Sequence, residues 1–100
     1  MNMQQMIAQA QRMQREIQKA KNALYEQEFN ESRSGLVSVT MLGSKKVTSI
    51  EIKEDGFEKD NKEMIEELIQ ACINTLIEKI DEAEAQIEES ITGKAGGMGF

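Results

Sequence analysis

The sequence predicts an α+β fold in which two long helices flank a block of antiparallel strands. Three observations predict it. Apolar residues recur at alternating spacings of 3 and 4 from Met3 to Leu24. The pattern then changes to alternation, with many β-branched residues, between Leu36 and Lys53. A broad helical apolar face follows from Met64 to Ile80. Such a change of period along one short chain is the mark of segregated helices and strands.

The first helix is expected from about Met3 to Gln27. Met3, Ala10, Ile17 and Leu24 form one row of a heptad seam, and Met6, Met13 and Ala20 form the other. Gln, Lys, Arg and Ala fill the remaining positions, and no Gly or Pro interrupts them. The seam is narrow, so it touches one partner surface and leaves the rest of the helix in water. That partner could be a second protomer's helix or the chain's own sheet.

Leu36–Leu42 and Lys46–Lys53 read as a hairpin around a two-residue Gly43-Ser44 loop. Pairing Leu42 with Lys45 sets Val37 opposite Ile50, Val39 opposite Thr48 and Gly35 opposite Ile52. Val37, Val39, Met41, Thr48, Ile50 and Ile52 then share one face. Two strands are marginal alone, and the only free candidate for a third is Glu28–Arg33, where Phe29 is the sole strong apolar residue.

A second long helix is expected from near Asp60, with Asp60 and Glu63 at capping-box spacing. Met64, Ile65, Leu68, Ile69, Cys72, Ile73, Leu76, Ile77 and Ile80 give it a wide face suited to burial on a sheet. Beyond Ile80 the face narrows to Ala83, Ile87 and Ile91, which should project into solvent or touch a partner. Residues 1–92 form the single domain expected, and 93–100, with four glycines in eight residues, a mobile tail.

At 100 residues there is room for one domain with a thin core. Pairing with a second copy is the simplest remedy. The absence of histidine removes the usual general base, the Ser-His and Cys-His nucleophile pairs and most zinc sites. No carboxylate pair stands out as catalytic, and the acidic run Asp81, Glu82, Glu84, Glu88, Glu89 lacks calcium-loop spacing. The residues therefore make an enzyme the poorer expectation, and no cofactor, metal or small-molecule substrate is expected. One cysteine allows no internal disulfide, and no apolar run is long enough to span a bilayer, so a cytoplasmic home is expected.

The net charge of −6 is unevenly spread. Residues 1–50 carry seven basic side chains against four acidic ones, and residues 51–100 carry five against fourteen. Arg12, Arg15 and Lys19 stand at i, i+3 and i+7 on one helical face, away from the seam, with Lys21 at its flank. A row of cations on a rigid helix suits the DNA backbone, because each phosphate contact releases counterions. Lys45 and Lys46 at the hairpin tip form a weaker second group, since lysines also protect strand edges. On charge pattern alone a solvated face is the commoner meaning of both groups.

Residues 6–17, Met-Ile-Ala-Gln-Ala-Gln-Arg-Met-Gln-Arg-Glu-Ile, resemble the N-terminal helix of the YbaB/EbfC nucleoid-associated proteins. Gly35-Leu36-Val37-Ser38-Val39-Thr40, then Gly43, Val47 and Ile50-Glu51-Ile52, are similar to their strand block. Ala71-Cys72-Ile73-Asn74 resembles the Ala-x-x-Asn of their last helix, and the Gly-rich end with its final Phe is also typical. The chain departs from the family in having no proline.

The resemblance implies an α-β-β-β-α, two-layer architecture with a three-stranded antiparallel sheet, assembled as a homodimer. It also implies a bacterial protein of the cytoplasm and nucleoid that binds double-stranded DNA without enzymatic activity. In that setting affinity is mostly electrostatic, sequence preference is modest, and the role is in nucleoid organisation and gene regulation. Arg12, Arg15, Lys19, Lys21, Lys45 and Lys46 are the expected DNA contacts. The rival expectation is an adaptor whose heptad helix recruits a partner protein and never touches DNA.

Overall fold

The computed structural model describes residues 2–99, with side chains described for 2–93. Its order is α1 (Met3–Glu26), β1 (Glu28–Arg33), β2 (Val37–Leu42), β3 (Val47–Ile52), two 3-10 turns (Glu54–Phe57 and Lys59–Asn61), and α2 (Lys62–Gly99). The three strands form one antiparallel sheet in the order β1-β2-β3. The architecture is thus the expected α-β-β-β-α in two layers. The trace of α2 runs through most of 93–100, and the side chains of the expected tail after Gly93 lie outside the described residues.

Asn2 caps α1 through a reciprocal box, its Oδ1 accepting from the Gln5 N–H at 2.8 Å while Gln5 Oε1 accepts from the Asn2 N–H at 3.3 Å. Gln27 turns extended, so β1 follows with one residue between. The core lies between α2 and the central strand. Val37, Val39 and Met41 of β2 meet Ile65, Cys72, Leu76 and Ile80 of α2, all buried.

β1 forms although its local signal is weak, and the reason is chemical. Its inward positions are Phe29, Glu31 and Arg33, opposite Met41, Val39 and Val37. Glu31 receives Lys79 of α2 at 3.0 Å, and Arg33 Nη2 donates to Thr75 Oγ1 at 2.7 Å. The inward face of this strand is joined to α2 by ionic and polar contacts, which an apolar alternation test does not detect.

The hairpin corrects the expected register by two residues. Val37 pairs with Ile52 and Val39 with Ile50, rather than with Ile50 and Thr48. A shift of two keeps each side chain on its face, so the apolar set survives except at Thr48. Thr48 is the extra residue of a bulge, since Thr40 pairs with Ser49 and Met41 with Val47. The turn is also longer than expected. Leu42 N–H donates to Lys46 O at 2.9 Å, so Gly43, Ser44 and Lys45 form the loop, with Lys45 in the left-handed region at φ 71°.

Gly43 has a different task from the one its sequence suggested. It lies against the end of α1, where an added Cβ would stand 1.9 Å from Leu24 O. Its N–H donates to Gln27 O at 2.9 Å, and Ser44 N–H donates to Tyr25 O at 3.2 Å. The turn therefore serves carbonyls that the last residues of α1 leave open, and sets where α1 leaves the sheet. The start of α2 also shifts, from near Asp60 to Lys62, because two 3-10 turns occupy the approach.

After Ile80, α2 leaves the sheet and runs beside α1. Ala20, Ala23, Leu24 and Gln27 line one side of a groove there, and Ala83, Gln86, Ile87 and Ile91 line the other. The partner of the heptad seam is thus the chain's own second helix. Cover is confined to the C-terminal half of the seam: Leu24 is buried and Met13, Ile17 and Ala20 are half-buried. Met3 and Met6 stay exposed. The outcome is an elongated molecule, 69 × 22 × 15 Å.

Candidate nucleic-acid interface

The basic stripe is built by the capped, uninterrupted α1. Successive residues turn by about 100°, so Arg12, Arg15 and Lys19 fall within about 60° of arc, roughly 140° around from the seam. The seam faces α2, so the stripe must face water, and all three side chains are exposed. Among the described residues none of the three makes an ion pair. From Arg12 to Lys19 the rise is about 10 Å, long enough to follow several phosphates of one groove edge. Gln5 and Asn22, which share this face, are engaged locally: Gln5 in the cap, and Asn22 Oδ1 accepting from Gln18 Nε2 at 2.8 Å.

Lys21 is placed differently. It flanks the other side of the seam and reaches α2, with Nζ 2.6 Å from Glu88 Oε1 and 3.7 Å from Glu84 Oε1. The hydrogen bond to Glu88 keeps its ammonium above the ordinary lysine range, with desolvation opposing and the Glu88 and Glu84 charges assisting. Lys45 is held in the same way, Nζ standing 2.6 Å from Asp81 Oδ1, and that bond likewise raises its pKa. Lys46 beside it is exposed and makes no ion pair among the described residues.

The six basic residues singled out in the sequence therefore divide in two. Arg12, Arg15, Lys19 and Lys46 offer charge to solvent. Lys21 and Lys45 spend theirs on Glu84, Glu88 and Asp81, tying α1 and the β2–β3 turn to α2. Lys53 and Lys59 are two further exposed cations that sequence reasoning passed over, because neither belongs to a helical row. The outer face of the sheet carries Asn30, Ser32, Ser38 and Thr40 in a hydrogen-bonded ladder: Asn30 Nδ2 donates to Ser38 Oγ at 3.1 Å and to Thr40 Oγ1 at 2.9 Å.

Cys72 is fully buried among Val39, Leu76 and Ile80, and burial pushes its thiol pKa up. A buried thiol of this kind is a poor nucleophile. Among the described residues no group of three His, Cys, Asp or Glu side chains could hold a metal ion. Among the described residues no helix is long and apolar enough to cross a membrane.

Residues 1–95 match the YbaB/EbfC DNA-binding family. The chain belongs to this family. It is 37% identical to a nucleoid-associated protein of Mycoplasmopsis pulmonis, over 91% of this chain and 90% of that one. It is 36% identical to one of Enterococcus faecalis, over 95% and 93%, and 35% identical to one of Streptococcus suis, over 94% and 96%. Membership covers both helices and the sheet, so the α1 stripe lies inside the matched region.

Proposed function

We propose that this chain is a non-enzymatic, nucleoid-associated protein of the bacterial cytoplasm that binds double-stranded DNA as a homodimer. The observation that carries the reading is the stripe Arg12–Arg15–Lys19, exposed and opposite the seam. Binding is mainly to the phosphate backbone, with modest sequence preference, and serves nucleoid organisation and gene regulation. Lys46 is a secondary contact. Lys21 and Lys45 reach DNA only by exchanging their carboxylate partners. The acidic face of α2 is turned away from the polyanion, because like charge there repels it.

One observation favours the adaptor reading as an alternative. Met3, Met6 and Ile7 at the tip of α1 are 77%, 57% and 54% exposed, an apolar end that could take a partner protein's helix.

Fluorescence anisotropy with a generic duplex across a salt series tests the proposal. Three phosphate contacts per protomer make six per dimer, a slope of about −5.4 in log K against log salt. That is a loss of about 2,000-fold between about 50 and 200 mM salt. Arg15→Gln removes two contacts, which reduces the slope to about −3.6 and the loss to about 150-fold. The change should be the same on every duplex sequence, and Lys21→Gln should alter the slope far less. Undiminished affinity and slope in Arg12→Gln, Arg15→Gln and Lys19→Gln would reject the stripe and favour the adaptor.

A further inference from the structure

The heptad seam of α1 begins in an apolar tip and ends beside an apolar slot. Met3, Met6 and Ile7 share one face of the first two turns and are 77%, 57% and 54% exposed. The slot is the groove between α1 and α2, with a volume of about 530 Å³. Ala20 and Ala83 are too short to fill it, and Ile87 and Ile91 stay half-buried along it. Gln27, Gln86 and Ser90 form its rim. It runs about 10 Å along α1, from Ala20 to Gln27, and about 12 Å along α2, from Ala83 to Ile91. That is the length of a two-turn helix tip.

We infer that the α1 tip of one copy seats in the α1–α2 groove of the next, so that copies add head to tail. The contact goes beyond the DNA-binding reading and rests on it only for its consequence, cooperative loading along a duplex. Charge selects a second copy as the occupant. Copies of net charge −6 repel one another, so they meet best where both surfaces are neutral. Residues 2–11 carry no charged side chain in a chain that is 30% charged, and no charged residue lines the groove. The remaining chemistry matches too. Methionine adapts to irregular apolar space. Gln4 and Gln9 flank the tip on either side and meet the amide and hydroxyl rim of the groove.

Tip and groove are different patches of one molecule, so the contact is heterologous and does not close on itself. By helical steps the tip face lies about 160° around α1 from the basic stripe, and the groove about 100°. Arg12, Arg15 and Lys19 therefore stay open in both copies. Three anchoring side chains make a small contact, weak between free copies. It gains force when stripes hold neighbours on one duplex at high local concentration.

Two measurements test the inference. In the first, Met6→Cys and Ala23→Cys proteins are mixed at high concentration without DNA and oxidised, the native thiol of Cys72 being buried. Mass spectrometry should find disulfides joining position 6 to position 23 in excess of either like pair. A product dominated by 6-to-6 links, or no product at all, overturns the groove as the tip's seat; the second result leaves the tip to a foreign protein. In the second, anisotropy compares a duplex that holds one binding unit with one several times longer. The parent should bind the long duplex on the order of 10-fold more tightly per site, and Met6→Gln and Ala23→Gln should each lose that gain. Both substitutions keep the charge, lie at exposed positions and suit a helix, so affinity for the short duplex and helix content by circular dichroism should hold. Mixing the two variants should restore part of the gain, since an intact tip then meets an intact groove. An equal gain in parent and both variants overturns the inference. A parent that binds neither duplex rejects the DNA reading instead, and the disulfide result then decides the contact alone.

Discussion

Replacing Gly43 with alanine should be among the most damaging single-methyl changes in this chain. The glycine does not need an unusual φ; the constraint is space. A Cβ at this position lies 1.9 Å from Leu24 O, 2.7 Å from Leu24 C and 3.2 Å from Tyr25 Cα. Reaching even 3.0 Å from that oxygen requires the turn and the end of α1 to separate by more than an ångström. Such a movement stretches the Gly43–Gln27 and Ser44–Tyr25 backbone bonds, now 2.9 and 3.2 Å, beyond useful length. Two hydrogen bonds are worth about 0.5–1.5 kcal/mol each. Partial exposure of Leu24, now 5% exposed, adds a fraction of the ~1.5–3 kcal/mol for burying a leucine. The expected loss is about 2–4 kcal/mol, or a fall in Tm of roughly 10–25 °C for a domain of this size. Thermal and urea unfolding at matched protein concentration measure it, because a dimer's stability depends on concentration. Gly35→Ala is the contrasting control: Gly35 has φ 64° and nothing within 4 Å of a Cβ, so its cost is the left-handed conformation alone, about 1–2 kcal/mol. A Gly43→Ala protein within about 0.5 kcal/mol of the parent would show that the turn does not seat α1.

Two other perturbations follow from the same contacts. Cys72 should resist thiol reagents in the native protein, and Cys72→Ser should cost about 1–3 kcal/mol through an unsatisfied buried hydroxyl; rapid native labelling would show the core face of α2 to be misplaced. The pKa values of Lys21 and Lys45 are raised in the folded chain, so their ion pairs stabilise it fully below the ordinary lysine pKa of 10.5. That contribution is lost as pH rises through the raised folded values. The urea midpoint should therefore fall with alkaline pH, and fall less in a Lys21→Gln, Lys45→Gln double variant. An equal alkaline fall in parent and variant would contradict these pairings.

The parts of this protein legible in one dimension are those governed by local period and composition. The heptad spacing of Met3–Leu24 gave α1, the alternation around Val37, Val39 and Met41 gave the central strand, and the wide face from Ile65 to Ile80 gave the buried half of α2. The Arg12–Arg15–Lys19 row was legible for the same reason, since helical geometry alone sets which residues share a face. β1 was not, because Glu31 and Arg33 are stabilised inward by Lys79 and Thr75, more than forty residues away in the chain. The hairpin register was missed for a related reason: Gly43 is required by the carbonyl of Leu24, so the turn took three residues and the bulge at Thr48 absorbed the difference.

Tertiary structure also decided which cations are available. Lys21 and Lys45 look like Arg15 and Lys46 in the sequence, yet each ends beside a carboxylate of α2. Charge type and spacing are properties of a segment. Whether a charge is neutralised, or an apolar face is covered, depends on what another segment brings to within a few ångströms, and Met3 and Met6 are left bare because cover is confined to the C-terminal half of the seam.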